Sequence, residues 1–339
     1  MTGRPNRGAL LPRRLTAFTG TRFGGLIWYV FRRILWMIPI VFFVIVITFA
    51  LAHSARGGPW DRTGGRPLSP VAIKLLNEKY GLDKPVPQQF LLYVWNVAHF
   101  DFGNSYQYQS KSVTTLIGEG WPYTATIGIL AFLLIVPFGI GLGVLAALRQ
   151  NSRVDYMTMG FATFAASFPN FVVGGLLIVV FSVILAKATG GNFFLPAGGW
   201  GIDDHLIMPV VVLALLPTAY TARLTRASTL DTIRQDYIRT AWAKGLSERL
   251  VVIRHILKNS LIPVVTTLGP TFAFLVTGSV IVETVFSIPG IGRAFVAAVN
   301  SRDYPMILGT TVLFSLIIAV ANLVVDVMYV FIDPRVTLK

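Results

Sequence analysis

The chain has 339 residues, of which 54% are hydrophobic and only 13% charged, against an ordinary charged share of about 25%. A mean hydropathy of +0.66 excludes a disordered chain, and a soluble one would expose apolar patches beyond what monomers tolerate. The net charge is +14 and cysteine is absent, which excludes a disulfide framework, a thiolate metal site, an iron–sulfur cluster and a cysteine nucleophile. The four histidines (His53, His99, His205 and His255) are scattered without ligand spacing, so no metal site is expected.

Six uncharged stretches approach the roughly 20 apolar residues that a membrane-crossing helix needs: Ile34–Ala52, Pro122–Leu148, Tyr156–Ala186, Leu206–Ala222, Leu261–Val282 and Met306–Val325. The expected fold is an all-α polytopic membrane protein with six transmembrane helices. Residues 1–28 read as a basic, disordered cytoplasmic tail and 29–52 as the first transmembrane helix. The basic leader and the 19-residue apolar run after it are both too long for an ordinary cleaved signal, so this helix is expected to stay.

Residues 53–121 form a segment with the features of a small packed external cap. Gly57-Gly58-Pro59 and Gly64-Gly65 open it as loop; Ser69-Pro70 fits a helix N-cap with proline at the first position. Gly81 stops that helix, Pro85–Phe100 reads as a second, and Asp101–Ser105 as a turn. A plain surface segment and a docking surface for a partner both fit it. The remaining core, 122–335, holds five spans, followed by a short cytoplasmic tail, 336–339. Gly139 and Gly143 form a G-x-x-x-G on the second span, suited to close packing either within the chain or between subunits. Pro209 and Pro217 predict a kink in the fourth.

Within the core, residues 223–260 are cationic yet amphipathic, with Ile238, Ala241, Trp242, Leu246, Leu250, Ile253, Ile256 and Leu257 near helical spacing. Gly245–Glu248 should divide this segment into two helices, with Ser247 as a cap. A helix lying on anionic lipid and a helix inserted into a groove of another protein need the same pattern. Toward the C-terminus Asn322, Asp326, Tyr329 and Asp333 recur on one helical face, and Glu283 lies at the outer end of the fifth span. Glu283, Asn322, Asp326 and Asp333 are therefore candidates for packing or gating.

Lys and Arg sort toward one side if the N-terminus is cytoplasmic: seven precede the first span, two follow the second, eight lie in the long fourth loop and two in the tail. Both termini are then inside. Against five acidic residues on that side, the inner excess accounts for the whole +14. The charge marks orientation and contact with anionic lipid headgroups, and nucleic-acid binding is not expected.

No ionisable residue lies near the middle of any expected span, which disfavours an ion-coupled carrier. There is no filter or charged ring for a channel, no nucleophile–base pair at membrane depth, and no G-x-x-x-x-G-K-[ST] for ATP. A transporter without its own energy source points to a partner that supplies it; a self-contained carrier or channel is the alternative.

Five blocks in order carry a family resemblance. Tyr237–Glu248, continuing through Arg254–Pro263, resembles the cytoplasmic loop of ATP-binding-cassette importer permeases of the dipeptide/oligopeptide/nickel branch. Gly81–Pro85 with Asp101–Ser105 is similar to the external segment of that branch's first permease subunit. Gly141–Leu148, Val282–Arg293 and the Asn322…Asp333-Pro334-Arg335 ending agree, so the resemblance spans Tyr29 to Arg335. It implies a permease subunit, not an enzyme, forming half of a pathway for peptides or a similar small solute. Its implied partners are a second permease, two ATPase subunits that carry ATP and magnesium, and an external solute-binding protein, at the cytoplasmic membrane of a bacterium or archaeon. No cofactor is expected on this chain. The implied ATPase-coupling residues are Arg239, Thr240, Ala241, Trp242, Lys244, Gly245, Leu246 and Ser247. Arg239 stands where the general motif has Glu, Trp242 where the family often has Arg, and the Pro of its Ile-x-Leu-Pro is missing at 255–258.

Overall fold

The computed structural model describes residues 17–54, 57–60, 68–108 and 111–332, with side chains described over 27–327 of these. The expected tail over 1–16, the Gly64-Gly65 loop, Asp333 and the C-terminal 334–339 fall outside the described residues. Helix α1 (Ala17–Ser54) begins twelve residues before the expected start and runs through the first span. Two cap helices follow, α2 (Pro70–Tyr80) and α3 (Val86–Ala98). Ser69 caps α2 as expected, its hydroxyl accepting from the Ala72 N–H at 3.2 Å, and Gly81 ends it. Neither cap helix has a fully buried residue. The cap is held instead by aromatic contacts among Trp60, Tyr80 and Tyr106 and by Trp60 Nε1 donating to Asn77 at 2.8 Å.

Helix α4 (Val113–Leu148) starts nine residues before the expected second span, because Ser112 caps it by accepting from the Thr115 N–H at 3.1 Å. The third expected span, Tyr156–Ala186, is corrected to two pieces. Helix α5 (Arg153–Ser167) stops at Phe168, which is extended at φ −106° and ψ 130°. The residue before a proline is driven out of the helical region, and Pro169 supplies no N–H to continue the ladder. A membrane-length helix then covers Asn170–Ala188, as α6 (Asn170–Leu177), a π-helical stretch (Ile178–Ile184) and α7 (Leu185–Ala188).

Helix α8 (Ile207–Ile233) also exceeds its expected bounds: residues 223–233, assigned to the cytoplasmic loop, extend the fourth span. Pro209 lies in its first turn, where an N–H is dispensable, and the helix carries through Pro217 without a break. Next come α9 (Asp236–Ala243) and α10 (Glu248–Val251), a π-helical turn (Val252–Ile256) and α11 (Leu257–Thr277). At Gly278 the backbone leaves the helix with φ +110°, a region closed to ordinary side chains. The short α12 (Val280–Val285), α13 (Ile291–Ser301) and α14 (Tyr304–Ile332) complete the chain.

Six helices among the described residues are long and apolar enough to cross a membrane. The core lies where α4 crosses α8 and α11. A Cβ at Gly143 would come within 2.5 Å of the Ala222 carbonyl, and one at Gly128 within 2.5 Å of the Leu275 carbonyl. The G-x-x-x-G thus packs within the chain, against Thr218, Thr221, Ala222 and Thr225 of α8. Around this crossing, Ile127, Ile135, Met208, Val212, Val264, Leu275 and Phe286 form the buried cluster.

Candidate functional site

The cationic loop folds as a helical hairpin, α9–turn–α10. Gly245 has φ +75°, the left-handed conformation that a tight helix stop demands. Its N–H donates to the Trp242 carbonyl at 2.9 Å, and the Lys244 N–H donates to Thr240 at 3.1 Å. Ser247 takes the cap position of α10, but its hydroxyl makes no capping bond. Ile238, Ala241, Val251 and Ile256 are buried together, flanked by Ile233, Leu246 and Val252. Of the expected coupling residues, Ala241 and Leu246 hold the hairpin closed, whereas Arg239, Thr240, Trp242, Lys244, Gly245 and Ser247 lie on its surface. The apolar periodicity was expected to face one way, yet Trp242 (42% exposed), Leu250 (41%) and Ile253 (56%) point outward. Val251, absent from that periodic set, is fully buried. The hairpin therefore has its own core and a second, uncovered apolar set.

One contact fastens the hairpin to the spans, and a second joins the two spans that flank it. Asn259 Nδ2 donates to the Tyr237 hydroxyl at 3.0 Å, and Ser228 Oγ donates to the Ser260 carbonyl at 2.8 Å. Further along α8, the Arg226 guanidinium donates twice to Asp155, at 2.5 and 2.6 Å. Asp155 is buried, and its carboxylate also accepts from the Asn151 N–H at 3.0 Å. The bonds from Arg226 hold the Asp155 pKa below the ordinary carboxylate range, against a smaller opposing effect of desolvation. This bidentate pair ties the start of α5 to α8. Nothing local in the sequence announces it, since 71 positions separate the partners.

At the other end of the bundle Glu283 is completely buried. It accepts from Thr124 Oγ1 at 2.8 Å, from the Arg293 N–H at 2.8 Å, and from the Gly292 N–H. Thr124 in turn accepts from the Ile291 N–H at 2.9 Å. One carboxylate thus engages the first-turn donors of α13 and joins α4, α12 and α13, a favourable place for negative charge. A side chain at Gly290 would collide with that carboxylate, and one at Gly292 would lie 3.1 Å from it.

The other candidates for packing or gating lie elsewhere. Asp326 on α14 pairs with Arg33 on α1 at 2.6 Å, whereas Asn322 is exposed. The Tyr329 side chain and Asp333 lie outside what is described. The sequence reading missed Asp303, which is buried and gathers the loop before α4. It accepts from Ser105 Oγ, from the Tyr106 N–H at 3.1 Å and from the Gln107 N–H at 3.3 Å. Arg302 precedes it in the left-handed region at φ 55°, the turn that swings the carboxylate inward.

Among the described residues no group of three or more His, Cys, Asp or Glu is placed to hold a metal ion. The arrangement is mechanical: a cationic hairpin with an uncovered apolar set, clamped to a bundle whose opposite end is fixed by two buried carboxylates.

Comparison with known proteins agrees. Residues 139–338 match the family of binding-protein-dependent transport system inner membrane components, and residues 26–128 match the corresponding N-terminal family. The oligopeptide transport system permease protein OppB of Salmonella typhimurium is 40% identical over 310 residues, covering 91% of this chain and 98% of the relative. The dipeptide transport system permease protein DppB of Bacillus subtilis is 39% identical over the same shares. A solved structure described as inward facing conformations of the MetNI methionine ABC transporter superposes with a TM-score of 0.50. It is 15% identical over 65% of this chain and 97% of that one, so it speaks to fold alone. The chain belongs to the family of binding-protein-dependent transport system inner membrane components, as a permease subunit of an ATP-driven importer.

Proposed function

We propose that this chain forms half of a membrane pathway for peptides, opposite a second permease, in the cytoplasmic membrane of a bacterium or archaeon. The peptide assignment rests on relatives that are named oligopeptide and dipeptide permeases at about 40% identity over nearly their full length. In this reading both termini and the α9–α10 hairpin are cytoplasmic, and the 53–121 cap faces outward to receive a loaded solute-binding protein. ATP and magnesium belong to two ATPase subunits.

The observation that carries the coupling role is the split of the hairpin's apolar residues into a buried set and an exposed one. A helix merely lying on lipid needs one apolar face. This hairpin buries Ile238, Ala241, Val251 and Ile256 in its own core and still presents Trp242, Leu250 and Ile253 outward. Exposed Trp and Leu around a rigid turn suit an anchor in a protein groove. Closure of the ATPases on ATP would move the hairpin, and the Ser228, Tyr237 and Asn259 contacts would pass that movement to α8 and α11.

Gly245→Pro tests this. Proline fixes φ near −65° and removes the N–H that bonds Trp242, so the turn cannot form. The variant should insert but lose peptide uptake and the ATP hydrolysis that loaded binding protein stimulates. Normal coupling in that variant, or uptake by this chain alone without ATP, would refute the assignment.

A further inference from the structure

A cavity of about 730 Å³ opens beside α13 on the cap side of the bundle, in the range of small-molecule sites. Its walls come from the loop before α4, the first turns of α4, and α13. Both walls are built on buried carboxylates. Asp303 fixes the Ser105–Gln107 loop, and Glu283 with Thr124 fixes Gly290–Arg293. Besides the buried Asp303, the charged groups that line the space are solvent-accessible: Lys111, Glu119 and Arg293, alongside Tyr108 and Tyr123.

Of the four charges, Asp303 is spent on the Ser105–Gln107 loop, and Lys111 and Glu119 neutralise each other. Lys111 Nζ donates to both Glu119 oxygens, at 2.7 and 2.6 Å. The Arg293 guanidinium makes no hydrogen bond or close ion pair among the described residues, although its charge acts on the buried Glu283, which its backbone N–H also engages. The helix terminus beneath it offers an anion little, since the Ile291, Gly292 and Arg293 N–H groups already have acceptors. The cavity therefore presents one guanidinium whose hydrogen-bond donors are unused among the described residues, a planar fork shaped for a carboxylate, and two tyrosines in the same lining able to pack against peptide groups.

We propose that this cavity is a subsite for peptide leaving the binding protein, in which Arg293 takes the free C-terminal carboxylate. This rests on the peptide reading above and adds that the permease itself recognises a peptide end. Recognition here would discriminate against C-terminally amidated peptides, which cannot form the charged pair.

The test uses the complete transporter with its binding protein in proteoliposomes, with trialanine and trialanine amide as probes. The quantity read is the ratio of acid to amide uptake; preference in the binding protein cancels when this ratio is compared between variants. Arg293→Gln should lower the ratio about tenfold, the effect of one charge-assisted pair at a partly exposed site. Arg293→Lys, which keeps the charge, should retain most of it. An unchanged ratio in Arg293→Gln, whether or not both rates fall, overturns the subsite and leaves the guanidinium a structural or docking group. If the wild-type complex imports neither peptide, the peptide reading itself fails, and the subsite with it. Should Arg293→Gln not assemble, the acid and the amide are compared as competitors for labelled trialanine on the wild-type complex without binding protein. About tenfold stronger competition by the acid supports the subsite, and equal competition overturns it.

Discussion

Replacing Glu283 with alanine removes the acceptor for three donors at once: the Thr124 hydroxyl and the Gly292 and Arg293 N–H groups. Each buried donor left unpaired costs about 1–3 kcal/mol, although the Thr124 hydroxyl can rotate toward another acceptor. The two backbone donors that cannot rotate away put the cost of Glu283→Ala at about 2–6 kcal/mol. Glu283→Gln keeps the volume and one acceptor oxygen. If that oxygen faces Gly292 and Arg293, its amide can still donate to Thr124, so the cost should be about 1–2 kcal/mol. The assay is thermal unfolding of the detergent-purified complex, with wild type, Gln and Ala variants compared at one scan rate. The account requires the order wild type, Gln, Ala with a clear gap before Ala. Equal transitions for Gln and Ala would show that the hydrogen bonds at Glu283 do not hold α13 to α4.

At the α4–α8 crossing, Gly143→Ala should destabilise the fold by about 1–3 kcal/mol, because the new Cβ meets backbone at 2.5 Å. Gly141→Ala, two residues away with open space around it, should be neutral or stabilising by up to about 1 kcal/mol; unfolding temperatures of the pair check both. The Asp155–Arg226 pair has a defined pH signature. Because the folded carboxyl titrates below its ordinary value near 4, its stabilisation is fully present above that value and is lost only as pH falls through the depressed one. Asp155→Asn should therefore lower stability at neutral pH and flatten the acid limb of the unfolding profile; a variant curve parallel to wild type at every pH would contradict this. Ile238→Ala opens a cavity in the small hairpin core and should cost about 2–5 kcal/mol locally, seen as faster hydrogen exchange across 236–258. Unchanged exchange there would show that the hairpin does not rest on that core.

Long apolar runs and helix caps were readable because their signals are local. Six spans follow from uncharged length, Ser69 from its proline neighbour, and the Gly245 turn from the glycine that interrupts an amphipathic pattern. The boundaries that moved were decided by contacts beyond the local pattern. Residues 223–233 look like loop because they carry Arg223 and Arg226, but Arg226 is neutralised by Asp155, so the helix continues through them. The division of the third span was legible in Phe168-Pro169, and the uncharged run around it masked that signal. Glu283 drew notice as an acid near a span end, but its role depends on Thr124, 159 positions earlier. Asp303 and Arg293 gave no signal of their own: one is buried by a turn at Arg302, and the other matters because its guanidinium makes no hydrogen bond among the described residues. The two faces of the hairpin could not be separated by periodicity, since the π-helical turn at Val252–Ile256 rotates the register between them.

The coupling claim is tested most directly at Ser247, which lies exposed in the turn of a chain that contains no cysteine. Ser247→Cys gives a unique thiol that can carry a photoreactive label before the transporter is assembled. In a complex that imports peptide and hydrolyses ATP, illumination should join this chain to an ATPase subunit, with a yield that changes on adding ATP. A transporting complex in which the label reaches only lipid or solvent would contradict the account.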